Sequence, residues 1–115
     1  MSFFSRLLGG PEPGMSPSDY VAGRDPSAPL LDVRTPGEFA EGHLAGAVNV
    51  DVSSPDFVER VRAMELPEDG PVYVYCRSGA RSGQAAQVLR QLGHAGAVNV
   101  GGLQALAAAG AETSR

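Results

Sequence analysis

Short apolar runs alternate along the chain with segments whose apolar residues recur every three or four positions. Residues 29–33 (PLLDV) and 46–50 (GAVNV) are such runs, and residues 71–76 (PVYVYC) are apolar at successive positions. A strand that is wet on one face alternates apolar and polar residues, whereas an unbroken apolar run indicates burial on both faces. The run 71–76 therefore predicts a central strand of a parallel sheet.

Signals for helix starts stand between these runs. Ser16 is followed by a proline and an acidic residue, and Thr35 is followed by Pro36 and, three positions on, by Glu38, which is a capping box. Three further helices are predicted, one starting at Ser54 with Pro55, one over residues 80–92 that stops at Gly93, and one over residues 103–109.

Strands separated by helices predict an α/β fold, with a mostly parallel central sheet and helices on both faces. Residues 1–14 end in GGPEPG and are expected to be a flexible segment, residues 15–109 a single domain, and residues 110–115 a polar tail. The stretch AGAVNV occurs at 45–50 and at 95–100, which we interpret as two similar strand entries rather than a duplication. Sites in such sheets form at the carboxyl ends of the strands.

Composition narrows the functional classes. The 115 residues suit one domain, and a net charge of −4 disfavours binding to nucleic acid. The single cysteine excludes an internal disulfide, and no Cys/His spacing suits a zinc site. The opening MSFFSRLLGG carries an arginine within a short apolar stretch, so we expect neither a signal peptide nor stable membrane insertion, and a cytoplasmic location.

That cysteine, Cys76, ends the predicted central strand and opens the loop CRSGARS before a helix. Backbone N–H groups from Arg77 to Ser82 are expected to converge with the helix start on an anion, and Gly79 suits a tightly curled loop. Helix N-termini and nearby arginines favour thiolate over thiol, which makes the cysteine a nucleophile. A free cysteine that only packs is the ordinary alternative, and the loop around it argues against that alternative.

Three stretches together carry a resemblance to a known family. LLDVRTPGEFAEGHLAGAVNV at 30–50, VYVYCRSGARS at 72–82 and NVGGL at 99–103 resemble the rhodanese-like sulfurtransferases in their single-domain form. The resemblance runs from about Met15 to Ala109. It departs from the family where a tryptophan often follows the Gly-Gly pair, because this chain has Leu106 or a neighbour there.

The resemblance implies a reaction in two halves that needs no metal or organic cofactor. Cys76 would attack the outer sulfur of thiosulfate, expel sulfite and hold a persulfide against the loop amides. A thiophilic acceptor, which is cyanide, a small thiol or a protein thiol, would then take the sulfur.

The loop residues are expected to bind the donor and the persulfide. Arg77 and Arg81 would attract the dianionic donor, although Arg81 could instead bind loop carbonyls. Ser78 is a candidate hydroxyl donor to the persulfide, and Ser82 is expected to help begin the helix. The predicted site comprises Cys76, Arg77, Ser78, Gly79, Ala80, Arg81 and Ser82.

Two further residues are expected to support the loop. In the family arrangement Asp32 would accept hydrogen bonds from N–H groups of the cysteine loop, and Arg34 would pair with Glu38 or Glu41. His43 is interpreted as a packing and hydrogen-bonding residue rather than a general base, and His94 as a surface residue.

Other functions stay open at this point. Related folds that attack phosphate esters carry Cys-x5-Arg, whereas Cys76 and Arg81 form Cys-x4-Arg, which argues for sulfur over phosphoryl transfer. Mercaptopyruvate sulfurtransferases tend to have a small uncharged residue after the cysteine, where this chain has Arg77. A persulfide carrier or a partner-binding module without efficient thiosulfate turnover is the remaining alternative.

Overall fold

The computed structural model describes residues 14–115, so the flexible segment predicted over residues 1–14 lies outside the described residues except for Gly14. The elements in chain order are α1 (Pro17–Gly23), β1 (Leu30–Asp32), α2 (Pro36–Glu41), β2 (His43–Leu44), β3 (Val48–Asn49), α3 (Phe57–Ala63), β4 (Val72–Cys76), α4 (Ala80–Gln91), β5 (Ala97–Gly102), α5 (Leu103–Ala108) and β6 (Thr113–Ser114).

Four strands form a parallel sheet in the order β3-β1-β4-β5. All five residues of β4 are buried, which confirms the central strand predicted from the run 71–76. The pairing of β4 with β5 shifts between Val74 and Tyr75, so that Val74 lies opposite Asn99 and Tyr75 opposite Gly101. This irregularity lies close to the carboxyl end of β4, where bulges commonly redirect side chains.

Core residues cover both faces of the sheet because successive side chains of β4 point to opposite sides. Val72, Val74 and Cys76 pack in one cluster with the buried residues of α3 and α4. Tyr73 and Tyr75 pack in the other cluster, with the buried residues of α1 and α5. The α/β fold with helices on both faces is confirmed.

Two helix starts follow the sequence signals. The Ser16 side chain accepts a hydrogen bond from the Asp19 amide at the start of α1. At α2 the Thr35 hydroxyl accepts from the Glu38 amide while the Glu38 carboxylate accepts from the Thr35 amide, so both bonds of the capping box are present.

Two other boundaries are informative. α3 begins at Phe57, later than predicted, because Ser54 lies in a turn where its hydroxyl binds the Asp56 carboxylate. Gly93 follows α4 with φ +104°, the left-handed backbone expected of a stop. None of the helices in residues 14–115 is both long enough and apolar enough to cross a membrane.

A second, two-stranded sheet joins β2 and β6 in antiparallel pairing, with His43 opposite Ser114 and Leu44 opposite Thr113. The segment expected as a polar tail therefore includes a strand, β6, which pairs with β2. Neither residue of β6 is apolar, so hydrophobic patterning carries no signal for this strand.

Candidate active site

Cys76 is the last residue of β4, and α4 begins four positions later. Gly79, which immediately precedes α4, has φ +103°, a backbone conformation that strains any residue with a Cβ. This turn brings the Gly79 amide back to the cysteine, where it donates to Sγ at 3.0 Å. Cys76 is only 1% exposed, so the sulfur lies under its own loop.

Burial and hydrogen bonding act in opposite directions on the Cys76 thiol. Burial alone would raise its pKa, but the Ser82 hydroxyl and the amides of Ser82, Gly79 and Ser78 stabilise the thiolate, and the pKa lies below its ordinary value. The sequence predicts a contribution from neighbouring arginines as well. In the structure, hydrogen-bond donors of the loop and the helix start supply the main stabilisation.

Ser82 has a different role from the one predicted. It is the third residue of α4 rather than the N-cap, its side chain is buried, and its Oγ lies 3.3 Å from Cys76 Sγ. The expectation that it helps begin the helix is wrong, because the residue preceding α4 is Gly79.

Asn99 on β5 is a site residue that the sequence analysis missed. Its Nδ2 donates to the Gly79 carbonyl at 2.9 Å, and its Oδ1 accepts from the Ser82 hydroxyl at 2.7 Å and from the Gly101 amide at 3.0 Å. It thus binds the middle of the cysteine loop at Gly79, its end at Ser82, and the irregularity of its own strand at Gly101.

The repeated AGAVNV contained a signal for this role. Asn49 occupies the same position in the first copy, and its Nδ2 donates to the carbonyls of Asp32 and Arg34 at 3.0 and 2.9 Å. In both copies the asparagine therefore binds backbone carbonyls at the carboxyl end of a neighbouring strand or in the loop that follows it.

Gly102 explains why the Gly-Gly pair lies beside the cysteine loop. A Cβ built on Gly102 would lie 2.3 Å from the Arg77 carbonyl oxygen. The loop can therefore lie against β5 only because this residue has no side chain.

Arg81 forms an ion pair across to α2. Its Nη1 and Nη2 donate to the two carboxylate oxygens of Glu38 at 2.7 and 3.0 Å, and this bonding to Arg81 lowers the pKa of Glu38 to about 2. The predicted alternative, in which Arg81 binds loop carbonyls, is wrong, since the Glu38 carboxylate occupies its guanidinium. Donor binding by Arg81 stays a prediction and would require this pair to open.

Arg77 is exposed and faces a cleft of about 590 Å³. Within residues 14–115 its guanidinium makes no hydrogen bond and no ion pair, in contrast to Arg81. The cleft lies between α2, the cysteine loop and the start of α5, and is lined by Arg34, Glu38, Glu41, Gly42, Arg77, Ser78, Leu103 and Gln104.

Asp32 and Arg34 support the wall of this cleft in a way the sequence did not indicate. Arg34 Nη2 lies 2.6 Å from Asp32 Oδ2 and also donates to the Gly42 carbonyl at 2.7 Å. Asp32 further accepts from the Tyr75 hydroxyl at 2.7 Å. The predicted bonds from loop amides to Asp32 and from Arg34 to a glutamate are wrong, because these two buried groups satisfy each other.

The histidines and the other loop residues are placed as follows. The His43 ring stacks on Phe39, with ring centroids 3.8 Å apart, and its Nδ1 lies 3.0 Å from the Phe39 carbonyl, as expected of a packing residue. His94 Nδ1 lies 2.9 Å from the Pro67 carbonyl, away from the cysteine loop. Ser78 and Ala80 are exposed on the loop.

The site thus brings Cys76, Gly79, Ser82 and Asn99 together, with Arg77 at the cleft above them. Residues 14–115 contain no group of three or more His, Cys, Asp or Glu side chains placed to hold one metal ion.

Comparison with known proteins covers most of the chain. The family model for the rhodanese-like domain matches residues 16–109. A crystal structure of a rhodanese-related protein from Thermoplasma volcanium superposes with a TM-score of 0.74 at 29% identity, over 89% of this chain and 97% of that one.

Two curated relatives carry sulfur-transfer names. A sulfurtransferase of Allochromatium vinosum is 42% identical over 73 residues, which are 64% of this chain and 64% of that protein. The thiosulfate sulfurtransferase PspE of Escherichia coli is 34% identical over 77 residues, which are 67% of this chain and 72% of that protein. The matches to other curated relatives span as little as 20% and as much as 77% of the relative's own length.

Proposed function

The chain belongs to the rhodanese-like domain family, and from this premise we propose that it is a sulfurtransferase that moves a sulfur atom from thiosulfate, through a persulfide on Cys76, to a thiophilic acceptor. The observation that carries the proposal is the convergence of hydrogen-bond donors on a single buried cysteine at the end of β4. Its relatives named as sulfurtransferases support the reaction class.

In the first half-reaction the Cys76 thiolate attacks the outer sulfur of thiosulfate. A bond forms between Sγ and that sulfur, the S–S bond of thiosulfate breaks, and its electron pair leaves with sulfite. The anionic charge moves to the outer sulfur of the persulfide, which the converging loop amides stabilise. Sulfite is a stable anion, so the step needs no strong general acid.

Arg77 is proposed to bind the anionic donor. Its exposed guanidinium lines the cleft without a partner in residues 14–115, whereas the neighbouring Arg81 is already neutralised by Glu38. A guanidinium presents several donors in a plane, which suits the oxygen atoms of a sulfonate-like group. The donor would therefore enter with its oxygens toward Arg77 and its outer sulfur toward the loop.

In the second half-reaction the acceptor attacks the outer sulfur of the persulfide. The bond between the two sulfurs breaks, and its electron pair returns to Sγ as the thiolate. Cyanide, a small thiol or a protein thiol would serve, because each is a nucleophile toward sulfur. The reaction uses no metal or organic cofactor.

The depth of the sulfur favours a second candidate, a persulfide carrier. Cys76 is 1% exposed and does not line the cleft, so a persulfide there is shielded from reductants and from free acceptors. A carrier would load with sulfur and discharge to one docked partner, with slow turnover on small thiols.

Reaction rates measured on one preparation of the protein distinguish the thiosulfate sulfurtransferase from the carrier, from a mercaptopyruvate sulfurtransferase and from a phosphatase. Thiosulfate, mercaptopyruvate and an aryl phosphate are compared as substrates, with Cys76→Ser as the control. We expect turnover of thiosulfate with cyanide to exceed that of mercaptopyruvate, and no Cys76-dependent release of phosphate. Faster reaction with mercaptopyruvate, or phosphate release that Cys76→Ser abolishes, would overturn the assignment. Stoichiometric loading without turnover would favour the carrier.

A further inference from the structure

The orientation of the Asn99 carboxamide is fixed by two of its own bonds. Nδ2 donates to the Gly79 carbonyl, and Oδ1 accepts from the Gly101 amide. If Nδ2 and Oδ1 exchanged places, two acceptors would face each other at Gly79 and two donors at Gly101. Because an amide oxygen carries no hydrogen, the Ser82 hydroxyl must be the donor in its 2.7 Å contact with Oδ1.

Ser82 has a second neighbour that competes for the same hydrogen. Its Oγ lies 3.3 Å from Cys76 Sγ, and a hydroxyl has one hydrogen to give. While Ser82 donates to Asn99, the only hydrogen left for the contact with sulfur is that of the thiol, which then donates to Oγ. A thiolate has no hydrogen, so the contact becomes favourable only if the hydroxyl turns toward Sγ.

We propose that Asn99 is a positioning residue that holds the Ser82 hydroxyl away from the sulfur while Cys76 is a thiol and releases it to the sulfur when the thiol proton leaves for solvent. Oδ1 keeps the Gly101 amide after the release, so no buried acceptor is left without a partner. The inference rests on the proposed function only in taking the thiolate as the reacting form.

This role of Asn99 affects the pKa of Cys76 in a way that a purely structural role would not. The bond between Ser82 and Asn99 exists only with the thiol, so its removal favours the thiolate and lowers the pKa of Cys76. Asn99 also holds the Gly79 carbonyl, and loosening the loop there would weaken the Gly79 amide bond to sulfur and raise the same pKa. The two effects have opposite signs, and only the first requires Ser82.

A double-mutant cycle separates them. The thiolate of the chain's only cysteine is titrated by its ultraviolet absorbance in wild type, Asn99→Ala, Ser82→Ala and the double variant, each corrected with the matching Cys76→Ser protein for tyrosine. Asn99→Ala should change the pKa of Cys76 by an amount that is more negative with Ser82 present than in the Ser82→Ala background. We expect the difference between the two changes to be about half a unit to one unit, which corresponds to one neutral hydrogen bond.

The charged groups of the loop and of the elements around it are the same in all four proteins, so their effects cancel from the cycle. They are Arg77 and Arg81, with Asp32, Arg34, Glu38 and Asp51 from the surrounding segments. Equal changes in both backgrounds, or a coupling of the opposite sign, would overturn the proposal.

Asn49→Ala is the matched control, because Asn49 makes the equivalent bonds to backbone carbonyls after β1 without touching the cysteine loop. It should leave the pKa of Cys76 unchanged, and an equal shift in this variant would count against a specific role of Asn99.

A measurement that requires no change at Asn99 guards against a variant that fails to fold. The side-chain carbonyl carbon resonance of Asn99 is followed through the cysteine titration. It should shift in wild type and much less in Ser82→Ala, while that of Asn49 stays constant in both. A shift of Asn99 that is equal with and without the Ser82 hydroxyl would contradict the proposal. Both titrations are independent of sulfur transfer. A protein that fails to turn over thiosulfate can still give the expected titrations, and a protein that turns over thiosulfate can fail to give them.

Discussion

At the scale of single residues, the two arginines of the cysteine loop differ in what surrounds them. Arg77 is exposed at the cleft, whereas Arg81 is bound to both oxygens of Glu38. Equal spacing around Gly79 made them look alike in the sequence. The partner of Arg81 comes from α2, 43 positions away, and no local pattern encodes that pairing.

Arg77→Ala should weaken the use of thiosulfate without changing the reactivity of the sulfur. A hydrogen bond to a charged group is worth about 1.5–3 kcal/mol, so kcat/KM for thiosulfate should fall by about 10- to 150-fold, mainly through KM. The pKa of Cys76 should change little. Arg62→Ala on α3 removes the same charge outside the cleft lining and is the control; an equal loss in both variants would contradict donor binding by Arg77.

Glu38→Gln should make stability less sensitive to acid. Bonding to Arg81 lowers the pKa of Glu38 from 4.5 to about 2, so its contribution is complete above about pH 4.5 and is lost as the pH falls through about 2. Glutamine preserves the capping box, and the partly exposed pair is worth about 1 kcal/mol.

Chemical unfolding at neutral and acid pH measures this effect. The gap between wild type and Glu38→Gln should narrow below about pH 4.5 and close as the pH falls through the Glu38 pKa of about 2. Glu41→Gln on the same helix removes the same charge and should open no such gap. A gap that persists unchanged at the lowest pH would rule out the ion pair as its cause.

At the scale of elements, β5 shapes the cysteine loop as much as the loop's own residues do. Asn99 holds the loop by hydrogen bonds, and Gly102 allows the Arg77 carbonyl to come close. The site is therefore an assembly of β4, α4 and β5.

Gly102→Ala should disturb the site more than the fold. Its new Cβ would lie 2.3 Å from the Arg77 carbonyl oxygen, so the backbone after Cys76 must move. The pKa of Cys76 should rise and sulfur transfer should fall at least tenfold. Gly96→Ala is the control, since its Cβ would lie 1.9 Å from the Gly70 carbonyl oxygen, before β4. That variant should lose stability but keep the pKa of Cys76, and matching effects on the pKa would contradict the assignment.

Local signals predicted most elements, and long-range contacts explain the exceptions. The capping box at Thr35, the buried run of β4 and the stop at Gly93 each depend on a few neighbouring residues, which the sequence displays. The role of Asn99 was missed because it depends on which strands become neighbours. The partner of Arg34 is Asp32, two positions earlier, and the burial that favours this pair over Glu38 or Glu41 is set by the whole fold. β6 was missed because its pairing uses backbone groups and leaves no apolar pattern.

At the scale of the whole molecule, Tyr75 joins the two sheets. Its hydroxyl donates to Asp32 on β1 and accepts from the Leu44 amide on β2 at 2.9 Å. Burial, reinforced by the hydrogen bond to Asp32, raises the pKa of Tyr75, so the hydroxyl keeps its proton.

Tyr75→Phe should therefore destabilise the protein by about 1–3 kcal/mol, since it leaves the buried Leu44 amide without a partner. Tyr73→Phe on the same strand is the matched control. It removes a bond from the Asp25 amide in a less buried place, where water can replace it, so it should cost less. Equal free energies of unfolding for the two variants would argue against a special role of Tyr75.

The central claim, that Cys76 carries sulfur, is tested most directly by intact mass. Wild type and Cys76→Ser are treated with thiosulfate, excess reagent is removed, and the intact mass of each protein is measured. Each protein is then treated with cyanide and assayed for thiocyanate. The account predicts a gain of one sulfur atom on wild type alone, discharged as thiocyanate. No gain on folded wild type with a reduced thiol, or an equal gain on Cys76→Ser, would contradict it.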